Sequence, residues 1–502
     1  MRADETISGG GRGYGLEIIY TVVASEQGLQ RCPLTLKAHA MNHERLRTVA
    51  GIAGISFGTA LVILDGGIAN VALPTIAHDL HVDSSAAVLI VTVYQLVLVM
   101  TLLPLSAIGD RIGLRRLYQY GQILFAAASL LAFFANTLPF LLVVRALQAL
   151  GAAAVLSVTS AMLRTLYSPE KLGRGLGFNS VVVSSAAALA PTAGGFLLAF
   201  ASWPWLFAAA VPFALGSLAL GTFLPNPPPR VEPFDFAGAL LCAATFGLLI
   251  GGLESAVHGS SPMVSAFITA IGVGFAVALV RNQKREPRPV LPVDLLARPV
   301  LALSAIGGFT VFIASMTLLI SMPFRLEHSF GFTPQHVGAM MAPWPLTTLF
   351  VAPLAGTLSD KYPAGILGGI GMSIAIVALV LIAFMPGHPT YFDVAWRMSL
   401  CGAGFGLFMS PNARLIIGSA PRERAASAGG LISTIRLCGQ TIGATLVAAL
   451  LALGLGGGSV PALVACGLAV IAGLCSIARL NPAIRKPNTR EVDTVKTVAP
   501  LN

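Results

Sequence analysis

Three polar side chains stand where their surroundings make them chemically consequential. Asp65 lies well inside an apolar run over about residues 48–72. Low dielectric favours the neutral form of a carboxyl group, so an acid in that position can take up or release a proton as its surroundings change. Such a group can exchange a proton for a cationic substrate; the alternative is a structural carboxylate bonded to a neighbouring helix. Arg145 lies inside the run 139–163, and Gln148 follows three residues on, which puts both on one helical face. A guanidinium in such a run needs an acidic or carbonyl partner, or else it snorkels to the outer interface.

These residues are set in a chain of 502 residues that is 55% hydrophobic and 10% charged, well below the roughly 25% charged residues of soluble domains. Fourteen apolar runs recur from residue 48 to residue 479, each of about 20 residues, enough to cross a hydrocarbon core. Helices that face lipid are apolar all round, and a bilayer admits them because they satisfy their own backbone. The net charge of +10 is spread through short loops, which speaks against nucleic acid as a partner and for the lipid bilayer. Arg111, Arg115, Arg116, Arg281, Lys284 and Arg285 follow even-numbered runs, as do Lys361 and Arg479. The opposite loops hold Arg325, with Arg397 at their edge, and little else basic, so both termini are expected on the cytoplasmic side.

The runs show internal repetition. Ser106–Arg116 reads S-A-I-G-D-R-I-G-L-R-R after run 2, and Gly356–Lys361 reads G-T-L-S-D-K after run 10. Two six-helix bundles separated by two extra helices place these turns equivalently, as in transporters built from repeated halves. The expected division is an extension over 1–46, a first bundle over 47–225, linkers and two extra helices over 226–292, a second bundle over 293–480 and a tail over 481–502. The extension reads as a disordered segment or as sequence upstream of a start at Met41, where M-N-H-E-R-L-R begins.

Four segments resemble the drug:proton antiporters of the major facilitator superfamily, in their fourteen-span branch. Leu64–Pro74, L-D-G-G-I-A-N-V-A-L-P, is similar to L-D-x-T-I-V-N-V-A-L-P, with Gly67 where threonine is usual. Ser106–Arg116 resembles G-x-L-A-D-R-x-G-R-K; Asp110, Arg111, Gly113, Arg115 and Arg116 carry the match, and Asp360 and Lys361 repeat part of it. Leu141–Gly151 resembles R-x-x-Q-G-x-G, with Ala149 for the first glycine. Ala190–Leu197, A-P-T-A-G-G-F-L, looks like the antiporter motif G-P-x-x-G-G through Pro191, Gly194 and Gly195, with Ala190 for its first glycine.

The resemblance implies an all-α integral membrane protein of major facilitator fold, with 14 transmembrane helices. It implies a monomer in the bacterial inner membrane that exports drugs or other small organic, often cationic, compounds against protons by alternating access. Asp65, Arg145 and Gln148 would couple the proton, and the two Asp-base loops would gate. Export of a single metabolite such as an amino acid, siderophore or toxin is the alternative within transport; a membrane sensor or scaffold is the alternative outside it. Gln95, Asn412, Arg436 and Gln440 either line a cavity or bond across helices. Phe309, Phe312, Trp344, Phe405 and Phe408 either form an aromatic wall for flat cations or pack helices together. Glu254, at the outer end of run 7, reads as interfacial. No Walker loop, H-E-x-x-H, G-x-S-x-G or cysteine–histidine pattern occurs, so no enzyme, cofactor or metal is expected.

Overall fold

The computed structural model describes residues 33–167, 172–225, 235–257, 259, 261–285, 296–419 and 425–481. The extension before residue 33, both linker cores, the tail beyond residue 481 and the basic residues Lys171, Arg230, Arg422 and Arg424 lie outside the described residues. Every long element among those described is a helix. The first half holds α1 Pro33–Asp79, α2 Ser84–Ile112, α3 Leu114–Ala132, α4 Leu138–Leu166, α5 Leu172–Phe200, α6 Pro204–Ala208 and α7 Ala210–Gly221. Next come α8 Phe236–Val257 and α9 Pro262–Arg285. The second half holds α10 Pro299–Phe324, α11 Pro334–Met341, α12 Pro343–Leu358, α13 Ala364–Ala383, α14 Tyr391–Ser419, α15 Ala425–Ala452 and α16 Val460–Ala478.

Twelve stretches among the described residues are helical, long and apolar enough to cross a membrane. The remaining two expected runs coincide with α3 and α5. The first turn of α3 carries Arg115 and Arg116, and the apolar part of α5 is the shorter stretch Ser185–Phe200. One boundary departs from expectation: α1 begins at Pro33, so residues 33–46 are helical rather than a disordered extension. Pro33 suits a first helical position, and no glycine or proline follows until Gly51.

Prolines explain the broken run near residue 342. Pro343 has no N–H to give the carbonyl one turn back, so α11 ends at Met341 and α12 starts anew. The freed carbonyl of Ala339 accepts instead from the Tyr391 hydroxyl at 3.3 Å. Arg325, expected on an outer loop, is buried in a π-turn after α10. Its guanidinium donates to the Ile382 and Ala383 carbonyls at 2.9 and 3.1 Å, capping the C-terminal end of α13 where a cation is favoured.

Within the first half α1 packs on α5, α7 and α2, and α4 on α3 and α2. Within the second, α14 lies between α12 and α13 while α10 meets α15 and α16. The halves join along α2 with α15 and along α5 with α11 and α12. Helix α8 rests on α2 and α15 at one such seam, and α9 packs chiefly on α8. The apolar surface that α9 leaves uncovered, including Met263 and Phe267, suits lipid.

Candidate functional site

The three residues singled out from the sequence meet in space. Arg145 Nη1 on α4 donates to Asp65 Oδ2 on α1 at 2.8 Å and to Gln148 Oε1 at 2.6 Å. Gln148 Nε2 donates to Asp65 Oδ1 at 2.9 Å and to Ser129 Oγ on α3 at 2.9 Å. Both carboxylate oxygens are therefore occupied, and the amide of Gln148 bridges cation and anion in one closed ring. Arg145 Nε donates to the Ile90 carbonyl at 3.4 Å. The guanidinium lies 4.2 Å from the Tyr94 ring and 5.2 Å from that of Phe207. Relative exposures of 3% for Asp65 and 0% for Arg145 and Gln148 rule out snorkelling. Small residues make the geometry possible. A Cβ on Gly151 would lie 2.7 Å from the Gly121 carbonyl oxygen, so α3 and α4 approach closely enough for Ser129 to reach Gln148.

Beside this pair, between the halves, lies a cavity of about 310 Å³. Helix α1 contributes Gly66, Gly67 and Asn70, directly after Asp65; α2 contributes Tyr94 and Gln95. Pro191, Trp344, Phe405, Arg436 and Gln440 complete the part of the wall that matters here. Trp344 and Phe405 stack with centroids 5.1 Å apart and planes at 16°. Thr348 helps fix Trp344 against α14, its hydroxyl donating to the Gly402 carbonyl at 3.0 Å. Asn70 Oδ1, Tyr94 Oη and Gln95 Oε1 are buried on this wall without a hydrogen-bond partner among the described residues. Tyr94 thus touches both systems: its ring covers Arg145 and the residue also lines the cavity.

A second cavity of about 640 Å³ shares Phe312, Thr348, Met409 and Arg436 with the first and extends through the second half toward Ile416 and Ile432. Of the five aromatic residues expected to form a wall, Phe312, Trp344 and Phe405 line the central cavity and Phe408 the second. Phe309 instead packs against the core of the first half. Asn412 is a wall residue of the second cavity and also a structural bond. Its Oδ1 accepts from Arg479 Nη1 at 2.6 Å, and its Nδ2 donates to the Ser304 carbonyl at 3.1 Å. Arg479, expected in a loop beyond the last run, is buried there with further bonds to the Ser304 and Ser476 hydroxyls.

The antiporter-like segment of α5 is a contact between halves. Pro191 and Gly195 face Gly338 of α11, where an added Cβ would stand 2.6 Å from the Pro191 carbonyl oxygen and 2.9 Å from Gly195 Cα. Gly194 lies against Ile68 of α1. Two of the departures from the resembled motifs, Gly67 and Ala190, also explain each other. A Cβ on Gly67 would lie 2.5 Å from the Ala190 Cβ, so a glycine at one position accompanies the alanine at the other. Gly67→Thr is therefore expected to lower the melting temperature and transport. Adding Ala190→Gly should restore most of both; a double variant no better than the single one would refute this pairing.

At the basic-loop end, Gly113 joins α2 to α3 at φ 100°, a conformation suited to glycine, and its N–H caps Gly109. Arg111 and Arg116 are exposed and Arg115 half-buried, while the side chain of Asp110 lies outside the described residues. In the second half, Asp360 pairs with Arg414 of α14. Arg414 also donates to the Gly356 carbonyl at 3.1 Å and the Ser359 hydroxyl at 3.0 Å, whereas Lys361 is exposed. Sequence reasoning missed Arg414, which is 54 residues from Asp360 on another helix. It also missed Tyr94 and Asn70, although each is adjacent to or inside a segment already singled out. Glu254 is corrected most: it is buried rather than interfacial, and accepts a hydrogen bond from the Thr445 hydroxyl of α15, tying α8 to the second half.

Comparison with known proteins agrees with this architecture. The family profile described as Major Facilitator Superfamily matches residues 55–444 and, overlapping, 304–501. The uncharacterized transporter YebQ of Escherichia coli (strain K12) is 41% identical over 434 residues, covering 86% of this chain and 95% of its own. The methyl viologen resistance protein SmvA of Salmonella typhimurium (strain LT2) is 28% identical, covering 78% of this chain and 80% of its own. Among solved structures, a bacterial homolog of the human lysosomal transporter Spinster, inward-facing and unoccupied, superposes with a TM-score of 0.65 at 16% identity, covering 88% of this chain and 99% of its own. Twelve membrane-length apolar helices among the described residues, a cavity between the two halves and a profile match over most of the sequence have one reading: the chain belongs to the Major Facilitator Superfamily of membrane transporters.

Proposed function

We propose that this transporter exports small amphipathic, drug-like compounds in exchange for protons, by alternating access, as a fourteen-span antiporter. Both termini would lie in the cytoplasm of a bacterium and the helices in its inner membrane. The observation that carries the proposal is the closed Asp65–Arg145–Gln148 ring next to the cavity wall. Protonating Asp65 removes the charge that holds Arg145, and Tyr94 lies between that cation and the cavity. A change in one charge can then alter the shape of the substrate site. The stacked Trp344–Phe405 pair offers a flat apolar surface for planar molecules. Relatives named for methyl viologen resistance and multidrug resistance support the substrate class. The expected division into bundles 47–225 and 293–480 around an inserted 226–292 belongs to the same reading.

The test uses the purified chain in liposomes with an acidic lumen and a panel of planar probes that are cationic, neutral or anionic. Accumulation of at least one probe beyond protein-free liposomes, abolished by an uncoupler, is the expected result. Movement insensitive to the uncoupler would overturn proton coupling, and no movement of any solute would favour a sensor or scaffold. A riboflavin transporter of Clostridioides difficile is 29% identical over 76% of this chain, which favours a second reading, export of a single metabolite. That reading gains if one metabolite moves and the panel does not.

A further inference from the structure

Arg436 projects from α15 to the junction of the two cavities and lines both. Among the described residues no carboxylate pairs with it, and the walls of the two cavities hold no aspartate or glutamate. The nearby acids are committed elsewhere. Asp65 is held by Arg145 and Gln148. Glu254 bonds Thr445, nine residues along α15 from Arg436, a rise of about 13 Å. Among the described residues the buried arginines of the spans all have acceptors in place: Arg145 has a carboxylate, Arg325 two carbonyls, Arg397 a carboxylate and two carbonyls, and Arg479 an amide and two hydroxyls, whereas the half-buried Arg436 has none. A guanidinium kept inside a membrane bundle without such partners is costly, and is retained where a ligand completes its bonding.

We propose that Arg436 is the anchor for an anionic group on the transported compound, and that the substrates are planar organic acids, carboxylates or sulfonates, rather than cations. The inference rests on the transport reading above and narrows its substrate class. The planar guanidinium offers paired N–H donors that match two oxygens of a carboxylate or sulfonate. Gln440, four residues on along the same face, can add a donor. The body of the acid would lie on Trp344 and Phe405. A cationic dye in the same place would face the uncompensated positive charge of Arg436 at close range. The cavity wall therefore opposes the flat cations expected from the sequence.

The test compares two probes of equal shape, naphthalene-2-sulfonate and the neutral naphthalene-2-sulfonamide, in equilibrium binding to the detergent-purified full chain. The wild type is expected to bind the sulfonate at least about tenfold more tightly, the scale of one charge-assisted bidentate contact. Arg436→Gln should erase that preference, lowering sulfonate affinity by more than sulfonamide affinity, and Arg436→Lys should keep part of it. Equal affinities in the wild type, no detectable sulfonate binding, or a preference that survives Arg436→Gln would overturn the inference. The wild-type comparison and the lysine variant stand even if the glutamine variant does not fold. If the sulfonate binds through Arg436 but no solute moves in liposomes, the transport reading fails and the anion site stands. If uncoupler-sensitive transport is seen but only cations or neutral probes bind, the anion site fails alone.

Discussion

Replacing Asp65 by asparagine is expected to abolish gradient-driven transport while the protein still inserts and purifies. The amide would keep the shape of the side chain but could neither take up the proton nor balance Arg145. Removing one partner of a buried ion pair typically costs about 3–5 kcal/mol, because the other charge is left uncompensated. The variant should therefore also melt at a lower temperature than the wild type. The double variant Asp65→Asn, Arg145→Gln separates the two effects. With the orphan cation gone, the melting temperature should recover in part, whereas coupled transport should stay at the level of protein-free liposomes. Uphill, uncoupler-sensitive transport by either variant would remove Asp65 from the coupling step. Recovery of transport in the double variant would reduce the pair to a structural tie between α1 and α4.

The second large effect is expected at Gly338. In this conformation its Cα is pressed against α5, and even one added carbon meets backbone atoms of Pro191 and Gly195 at 2.6 and 2.9 Å. Backbone cannot swing aside as a flexible side chain can, so Gly338→Val must separate the halves at the end opposite the basic loops. Conformations closed at that end become inaccessible, and alternating access stops. Transport should fall by at least about tenfold, corresponding to a shift of some 1.4 kcal/mol or more between states. A reporter cysteine at the cavity, Ser315→Cys, should at the same time become more reactive to an impermeant maleimide added at that end. Normal transport, or unchanged labelling together with lost transport, would show that the α5–α11 contact does not govern closure. Gly195→Val supplies an independent approach from the other side of the same contact.

Much of this was legible in the residues themselves. A charge in an apolar run is expensive enough to stand out, which is why Asp65, Arg145 and Gln148 could be singled out before any contact was known. The helices follow the apolar runs because a chain in lipid has little other way to satisfy its backbone. The break before α12 could be read from Pro343, since a missing N–H is a local property. The start of α1 at Pro33 does not show in the mixed composition of 33–46, although no glycine or proline interrupts that stretch after Pro33.

Other features depended on neighbours far along the chain. The sequence shows Gly67 and Ala190 as two separate departures from resembled motifs, yet they are one exchange across a 2.5 Å approach. Arg325 and Arg479 read as loop bases in the sequence, but the end of α13 holds Arg325 and side chains of α10 and α14 hold Arg479. Glu254 looked interfacial until Thr445 of α15 was placed against it. Residue type and local spacing thus determined a helical membrane protein with a carboxyl group inside its first span and a guanidinium inside another. Tertiary structure decided which charges find partners: among the described residues Arg145 does and Arg436 does not, because counter-charge and solvation in a low-dielectric bundle come from whichever helix lies a few ångströms away, at any distance in sequence.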